Sequence, residues 1–160
     1  ADLAGANARS RLRMTALYYF AGLNNLLVAG TGNKIEDFGV GFFTKYGDGG
    51  VDISPIADLT KTEVYELGRW LRVPEAILVA PPTDGLFGDD RTDEQQIGAT
   101  YPELERAMAH AERGTDPALL SGREREVYDI FLRRNRANRH KMEPIPVCRI
   151  PRYLVEPAGR

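Results

Sequence analysis

A short apolar run at residues 26–29 constrains the fold of this chain more than any other feature. The run, Leu-Leu-Val-Ala, carries no charge and is followed by Gly30, which is typical of a strand buried on both faces of a parallel sheet. The patterns after it are mainly helical, with capping-box spacings at Thr60 and Thr92 and amphipathic spacing over residues 101–112. The sequence therefore predicts an α/β fold with a parallel sheet flanked by helices.

The same pattern supplies too few strands to complete such a sheet. One clear helix–strand unit is followed mainly by helices, whereas a parallel sheet needs several strands and a cover on both faces. We expect the partner strands to come from an upstream half or from another chain. The sequence also begins at Ala1 without a methionine, in what looks like the lead-in to a helix. These features predict an incomplete α/β domain.

Composition excludes several classes of protein. The chain has 21 Lys and Arg against 23 Asp and Glu, a formal net charge of −2, so no global basic field favours a nucleic-acid partner. No apolar run approaches the roughly 20 residues that a membrane-spanning helix needs. The one cysteine, Cys148, cannot form an internal disulfide, which fits a reducing cytosol. We expect a cytoplasmic protein, and composition favours neither a nucleic-acid nor a membrane partner.

Residues 28–36 place two glycines directly after the predicted strand. Gly30 and Gly32 let the backbone approach a ligand at the carboxyl end of the strand, where α/β sheets place their sites. Thr31 offers a hydroxyl, and Glu36 offers a hard oxygen ligand for Mg²⁺. The spacing is not that of a P-loop. Taken alone, this segment is equally compatible with an ordinary turn at a strand end.

Residues 41–52 combine four glycines, Lys45 and two carboxylates, Asp48 and Asp52. Such a loop lets the backbone come close to a ligand while charged side chains fix the orientation of that ligand. A mobile surface loop would explain the glycines, but not the aromatic residues and paired charges together. The segment therefore favours a binding site.

Two basic clusters are ambiguous by themselves. Arg9, Arg11 and Arg13 alternate on a predicted helix and point in different directions, so one or two of them at most can converge on a ligand. Residues 136–142 are basic at a predicted helix end, where cations also compensate the helix dipole. A solvated basic face explains either cluster when it is considered alone.

Together and in this order, these segments resemble the ammonia-dependent NAD⁺ synthetases, within the N-type ATP pyrophosphatases. The similarity lies in Arg-Leu-Arg-Met at 11–14, Gly-Thr-Gly-Asn-Lys-Ile-Glu at 30–36 and Thr-Lys-Tyr-Gly-Asp-Gly-Gly-Val-Asp at 44–52. It continues in Leu-Thr-Lys at 59–61, Pro-Pro-Thr-Asp-Gly-Leu at 81–86 and His-Lys-Met at 140–142. The resemblance implies the C-terminal part of a Rossmann-like adenine-nucleotide alpha-hydrolase fold, with residues 1–160 belonging to a single synthetase domain.

The resemblance also implies a role for each matching residue. Thr31, Lys61 and Thr83 match positions that bind ATP, and Glu36 matches a Mg²⁺ ligand. Asp48 is our hypothesis for the carboxylate near the incoming ammonia. The matches to residues that hold the dinucleotide substrate are Arg11, Tyr18, Lys45, Asp52, His140 and Lys141. Two of these roles have plain alternatives, because Lys61 could be an exposed lysine and Tyr18 a core tyrosine.

The implied reaction is the amidation of deamido-NAD⁺ with ammonia, driven by ATP through an adenylated carboxylate, in a homodimer. One family motif is absent: the Ser-Gly-Gly-x-Asp-Ser phosphate loop occurs nowhere in the sequence. We therefore expect the N-terminal half to lie outside this sequence and the 160 residues alone to be unable to adenylate. Two other readings stay open, a silent binding or dimerisation fragment and an ATP pyrophosphatase that acts on another carboxylate.

Overall fold

The computed structural model describes residues 2–89, 91–151 and 154–155, and most of them are helical. The first half contains helix α1 at Leu3–Asn24, a π-helix at Lys34–Val40, α2 at Lys61–Trp70 and α3 at Glu75–Leu78. The second half contains α4 at Asp93–Ile97, α5 at Tyr101–Glu112, a 3₁₀ helix at Pro117–Leu119 and α6 at Gly122–Met142. In the described part of the chain, no helix is both long and apolar enough to cross a membrane.

Local signals explain where the middle helices begin. Thr60 caps α2 and Thr92 caps α4, and each makes a capping box with the residue three positions later, Glu63 or Gln95. Thr100 and Glu103 do the same for α5. The helices predicted at these positions are confirmed, because the capping groups lie within one turn of the backbone donors that they satisfy.

The core lies where α5, α6 and the π-helix meet. Leu104 of α5, Val127 and Phe131 of α6, and Ile35 and Val40 of the π-helix are almost fully buried there. Burial of these apolar side chains supplies the main stabilisation of the fold. The π-helix is therefore fixed from one side by the core, and its other side is free to line a site.

The predicted parallel sheet is wrong for the described residues. Their only β pairing is an isolated parallel bridge between Ala29 and Ile53, supported by Gly30 N–H donating to the Ile53 carbonyl at 2.7 Å. A sheet needs several paired strands, and the segments beside this bridge are too short to extend it. Leu26 and Leu27 are 65% and 67% exposed rather than buried on both faces. The fold of the described chain is helical.

Candidate functional site

Glu36 and Lys61 are brought together by the π-helix and the first turn of α2. The buried Asn33 side chain caps the π-helix by accepting from the backbone N–H groups of Ile35 and Glu36, at 3.0 and 3.1 Å. Lys61 Nζ then lies 2.9 Å from Glu36 Oε1, with both side chains largely buried. The structure thus pairs a predicted metal ligand with a predicted ATP-binding residue that lies 25 positions away.

Tyr101 and Asp93 complete this charged cluster, and sequence reasoning had singled out neither. The Tyr101 hydroxyl donates to Glu36 Oε1 and lies 3.5 Å from Asp93 Oδ2. Burial first, and then the Glu36 charge, raise the pKa of Tyr101 far above its usual value. Burial and the Glu36 charge likewise raise the pKa of Asp93 to about 6. The cluster therefore concentrates negative charge in a largely buried position.

The donors in this cluster fit a hard cation such as Mg²⁺. Asp93 is 8% exposed, and its Oδ1 is buried without a hydrogen-bond partner. An orphaned carboxylate oxygen beside Glu36 is the deficiency that a bound cation would relieve. The described residues contain no group of three or more His, Cys, Asp or Glu arranged to hold a metal. Since Mg²⁺ is commonly held by one or two carboxylates together with substrate phosphates, two suffice.

A pocket of about 140 Å³ lies between the two predicted glycine-rich segments and the end of α6. Its charged lining groups are Asp37, Asp48 and Lys141, and Gly30 and Gly32 form part of its wall. A Cβ atom on Gly32 would lie 2.0 Å from an Asp37 carboxylate oxygen, so a larger residue here would displace the Asp37 side chain. Gly32 therefore lets the Asp37 carboxylate lie against the backbone in this wall.

Asp37 is a pocket residue that sequence reasoning did not identify. Burial first, and then the charges of Glu36 and Asp48, raise the pKa of Asp37 to about 6. The available signal was a second carboxylate directly after Glu36 between glycine-rich segments. The π-helix directs Glu36 towards Lys61, whereas Asp37 lines the pocket, and the sequence pattern did not predict this separation.

Asp48 is held by groups on two segments. Its Oδ1 accepts from the Thr44 backbone N–H at 2.9 Å and from the Ser10 hydroxyl at 2.7 Å. Thr44 is in turn held by α1, because its hydroxyl donates to the Asn7 side-chain oxygen at 2.7 Å. Among the described residues, no hydrogen bond reaches Asp48 Oδ2. The carboxylate therefore has one fixed oxygen and one available oxygen.

Three side chains of α6 fix the backbone that leads into this loop. Asn135 donates to the Gly39 carbonyl at 2.7 Å, and Asn138 donates to the Val40 carbonyl at 2.9 Å. Lys141 Nζ donates to the carbonyls of Gly41 and Phe43, at 2.9 and 2.8 Å. These carbonyls lie at and just beyond the C-terminal end of the π-helix, where carbonyl groups have no backbone N–H partner within the helix. Helix α6 therefore supplies the cap that ends the π-helix.

Lys141 lines the pocket, but its ammonium is already engaged by backbone oxygens. Burial lowers the pKa of Lys141, whereas the nearby Asp48 carboxylate acts in the opposite direction. Lys45 reaches the same end of α6, because its ammonium donates to the His140 carbonyl. Arg11 lies next to them, with Nε 3.3 Å from the Lys45 carbonyl. Four of the predicted dinucleotide-binding residues thus lie close together around this loop.

Tyr18 and Asp52 form a second contact between α1 and the loop. The Tyr18 hydroxyl donates to Asp52 Oδ1 at 3.0 Å, and Asp52 Oδ2 accepts from the Val28 backbone N–H at 2.8 Å. Partial burial and the Asp52 carboxylate raise the pKa of Tyr18. The alternative of a core position for Tyr18 is not supported, because its side chain is only half-buried.

The three arginines of α1 diverge as the helical spacing predicts. Arg9 and Arg13, one turn apart, donate to carbonyls of the segment 84–86 at 2.6 to 3.3 Å. Arg11 instead contacts the loop of residues 41–52, at the Lys45 carbonyl. Thr83 directly precedes the segment 84–86, and its hydroxyl accepts from the Gly85 N–H at 3.3 Å. Thr31 is exposed, and the described chain provides no hydrogen-bond partner for its side chain.

Comparison with known proteins decides the family. A family model described as NAD synthase matches residues 1–145 of this chain. The chain belongs to the NAD synthase family. The resemblance predicted from the sequence motifs is therefore confirmed.

Relatives in the NAD synthase family cover most of this chain. An NH(3)-dependent NAD(+) synthetase from Carboxydothermus hydrogenoformans is 46% identical over 139 residues, which are 87% of this chain and 52% of that protein. One from Archaeoglobus fulgidus is 43% identical over 148 residues, 92% of this chain and 57% of that protein. The chain thus spans about half the length of the curated relatives it matches.

Two solved structures are similar in fold to this chain. The structure of NMN synthetase from Francisella tularensis matches with a TM-score of 0.76 and 34% identity, over 91% of this chain and 56% of that one. An NH3-dependent NAD synthetase from Campylobacter jejuni, solved with nitrate, matches with a TM-score of 0.66. At 24% identity, the second likeness concerns the fold alone.

Proposed function

We propose that residues 1–160 are the C-terminal part of one NAD⁺ synthetase domain, and that the complete enzyme is a cytoplasmic ligase that makes NAD⁺. Its substrates would be deamido-NAD⁺, ATP and ammonia, and its other products AMP and pyrophosphate. The observation that carries the proposal is the pocket lined by Asp37, Asp48 and Lys141, in a chain of the NAD synthase family that also buries the Glu36–Lys61 pair.

The first step would activate the nicotinate carboxylate. A carboxylate oxygen attacks the α-phosphorus of ATP, and pyrophosphate leaves with the electrons of the bond that breaks. Catalysis of such a step depends on positioning and on charge stabilisation. Lys61 is suited to phosphate charge, since its ammonium already pairs with an anion, and Thr31 and Thr83 would hold other parts of the nucleotide. Mg²⁺, when bound, would neutralise phosphate charge, and Glu36 would be its ligand in this chain.

The second step would form the amide. The ammonia nitrogen attacks the carbonyl carbon of the adenylate, the bond from that carbon to the AMP oxygen breaks, and the nitrogen gives up one proton. Asp48 would accept that proton, because its Oδ2 is unengaged in the described structure and the residue lines the pocket.

The dinucleotide would be bound by residues around the same loop. Arg11, Lys45, His140 and Lys141 lie close together there, and the cationic groups of Arg11, Lys45 and Lys141 suit the pyrophosphate of a dinucleotide. Tyr18 and Asp52 would hold the pyridine end. We also propose that the enzyme is a homodimer, which the exposed apolar side chains of α1, including Leu12, Leu17 and Phe20, support.

A closely related reaction is a second candidate. The neighbour with a TM-score of 0.76 is named an NMN synthetase, which would correspond to amidation of a mononucleotide in place of a dinucleotide. The same pocket chemistry serves both substrates, since both carry a nicotinate carboxylate. Comparison of kcat/KM for deamido-NAD⁺ and for nicotinate mononucleotide separates them.

The deciding experiment measures pyrophosphate and amide formation by the complete protein that contains this sequence. Amide formation from deamido-NAD⁺ with ATP and ammonium supports the proposal, and Asp48→Asn should reduce turnover at limiting ammonia by about 100-fold. Thr15→Ala, which removes an exposed hydroxyl of α1, is the matched control. Undiminished turnover of the Asp48→Asn variant would remove Asp48 from the mechanism.

The isolated residues 1–160 provide a second test, because the phosphate loop is absent from them. We expect no pyrophosphate release from this fragment alone. Binding of deamido-NAD⁺ without turnover would instead favour a binding or dimerisation module. Adenylation by the fragment would contradict our assignment of the chain as an incomplete part of the enzyme.

A further inference from the structure

Ser10 stands out on α1 as a buried polar residue. Ser10 is 3% exposed, and the only other buried residues of α1 are Ala6 and Ala21. A buried hydroxyl is costly unless it is hydrogen-bonded. A serine within a helix often bonds to the carbonyl four residues earlier, as Thr15 does with Arg11 at 2.9 Å. Ser10 has its described partners elsewhere.

Both hydrogen bonds of Ser10 go to Asp48. Ser10 Oγ donates to Asp48 Oδ1 at 2.7 Å and accepts from the Asp48 backbone N–H at 3.0 Å. The donor and one acceptor position of the hydroxyl are therefore used on the same residue. A hydroxyl held in this way fixes both the backbone and the carboxylate of Asp48, 38 positions away in sequence.

The glycine next to Asp48 makes this contact possible. A Cβ atom on Gly47 would lie 2.2 Å from Ser10 Oγ and 2.9 Å from Ser10 Cβ, so the loop can approach α1 only with glycine at this position. Gly50 similarly packs against Met14, with 3.0 Å between an added Cβ and Met14 Cγ. Asn7 holds Thr44 one turn before Ser10. One stripe of α1 therefore holds the loop from residue 44 to residue 50.

We infer that Ser10 is a positioning residue for the amide-forming step: by fixing Asp48 Oδ1, it leaves Oδ2 available to the ammonia nitrogen in the pocket that Asp48 lines. The inference rests on the proposed function, since it assigns a task to Asp48 in that reaction. A loop held only for stability would need no bond to the carboxylate, because the Asn7–Thr44 bond and the backbone N–H of Asp48 already anchor it.

The test uses the complete enzyme with Ser10→Ala, Asp48→Ala and the double variant. Alanine is the better helix former, so the Ser10→Ala protein keeps α1. We expect Ser10→Ala to raise the KM for ammonia about tenfold and to leave the KM for ATP unchanged, because a hydrogen bond to a charged group is lost. In the Asp48→Ala background, Ser10→Ala should have no further effect. Thr15→Ala is the control for loss of a hydroxyl from α1.

Each outcome decides one question. Equal effects of Ser10→Ala with and without Asp48, or equal changes in the KM for ATP and for ammonia, would overturn the inference and leave the proposed function standing. Circular dichroism of each variant checks that a loss of activity is not a loss of fold. If the unaltered enzyme forms no amide while binding ATP, the proposed function fails and the inference fails with it.

Discussion

Lys61 Nζ lies 2.9 Å from Glu36 Oε1, and the two side chains are only 18% and 14% exposed. The pair joins the first turn of α2 to the π-helix and borders the buried Asp93. Because removing one member of a buried pair leaves the other without compensation, this contact contributes to stability as well as to the proposed binding of phosphate.

Lys61→Met should therefore have two effects. We expect the free energy of unfolding to fall by about 3 kcal/mol, because Glu36 and Asp93 would remain without the cation. The KM for ATP should rise at least tenfold. Lys34→Met is the matched control, since Lys34 lies 3.3 Å from Glu112 in a more exposed pair. That pair is worth about 0.5 kcal/mol at most. Urea unfolding and ATP kinetics of both variants check the prediction.

Tyr101→Phe removes the phenol hydroxyl and keeps the buried ring, so it measures the effect of the hydroxyl alone. Tyr101 and Tyr128 are both buried, at 4% and 3% exposure, and each donates one hydrogen bond, to Glu36 and to the Thr115 carbonyl respectively. Loss of the Tyr128 hydroxyl should cost about 1 kcal/mol of stability, and loss of the Tyr101 hydroxyl, which bonds a carboxylate, about 2 kcal/mol. Only Tyr101→Phe should also change the concentration of Mg²⁺ needed for half-maximal activity. An equal Mg²⁺ dependence in both variants would contradict a link between Tyr101 and the metal site.

Stability should depend on pH through Asp93. Its pKa is raised to about 6 in the folded state, by burial and by Glu36, with Lys61 opposing and Asp84 adding to the shift. A carboxyl whose folded-state pKa lies above the ordinary value of 3.8 binds more protons when folded. The stability that the protonated Asp93 contributes is therefore fully present below about pH 4 and is lost as the pH rises through about 6.

Asp93→Asn should remove this loss, since the amide cannot ionise. We expect the variant to exceed the unaltered protein in stability by about 1–3 kcal/mol at pH 7.5 and to match it near pH 4. Thermal unfolding between pH 4 and pH 8, with a chelator present, measures the difference. A stability difference that does not change with pH would show that Asp93 is not the titrating group.

Alanine substitutions at Gly41 and Gly85 should differ in their cost, because only Gly41 packs against α6. Both have positive φ, +62° and +60°, so alanine is strained at either position by about 1 kcal/mol. At Gly41 an added Cβ would also lie 2.4 Å from Asn138 Cβ, whereas at Gly85 it would meet nothing within 4 Å. Gly41→Ala should therefore cost at least about 2 kcal/mol more than Gly85→Ala. Equal losses, measured by urea unfolding, would mean that α6 can move away at little cost.

Helices with their own capping groups could be predicted from the sequence. The signals at Thr60 and Thr92 lie within a few residues of the helices that they start, and both helices are present. The π-helix could not be predicted in this way. Its end is satisfied by Asn135 and Asn138, which are 96 and 98 positions from the carbonyls that they bind. The sheet was predicted from one local apolar run, but pairing of strands is a long-range property.

The sequence by itself determined the family, the helix starts and the positions of the glycine-rich segments, because each of these is encoded in neighbouring residues. Only the tertiary structure decided that Lys61 meets Glu36, that Asp37 and Asp93 have a raised pKa, and that Ser10 holds Asp48. These contacts join residues that are far apart in the chain. Burial and hydrogen-bond geometry, which set the charges and orientations in the site, exist only after the helices have packed.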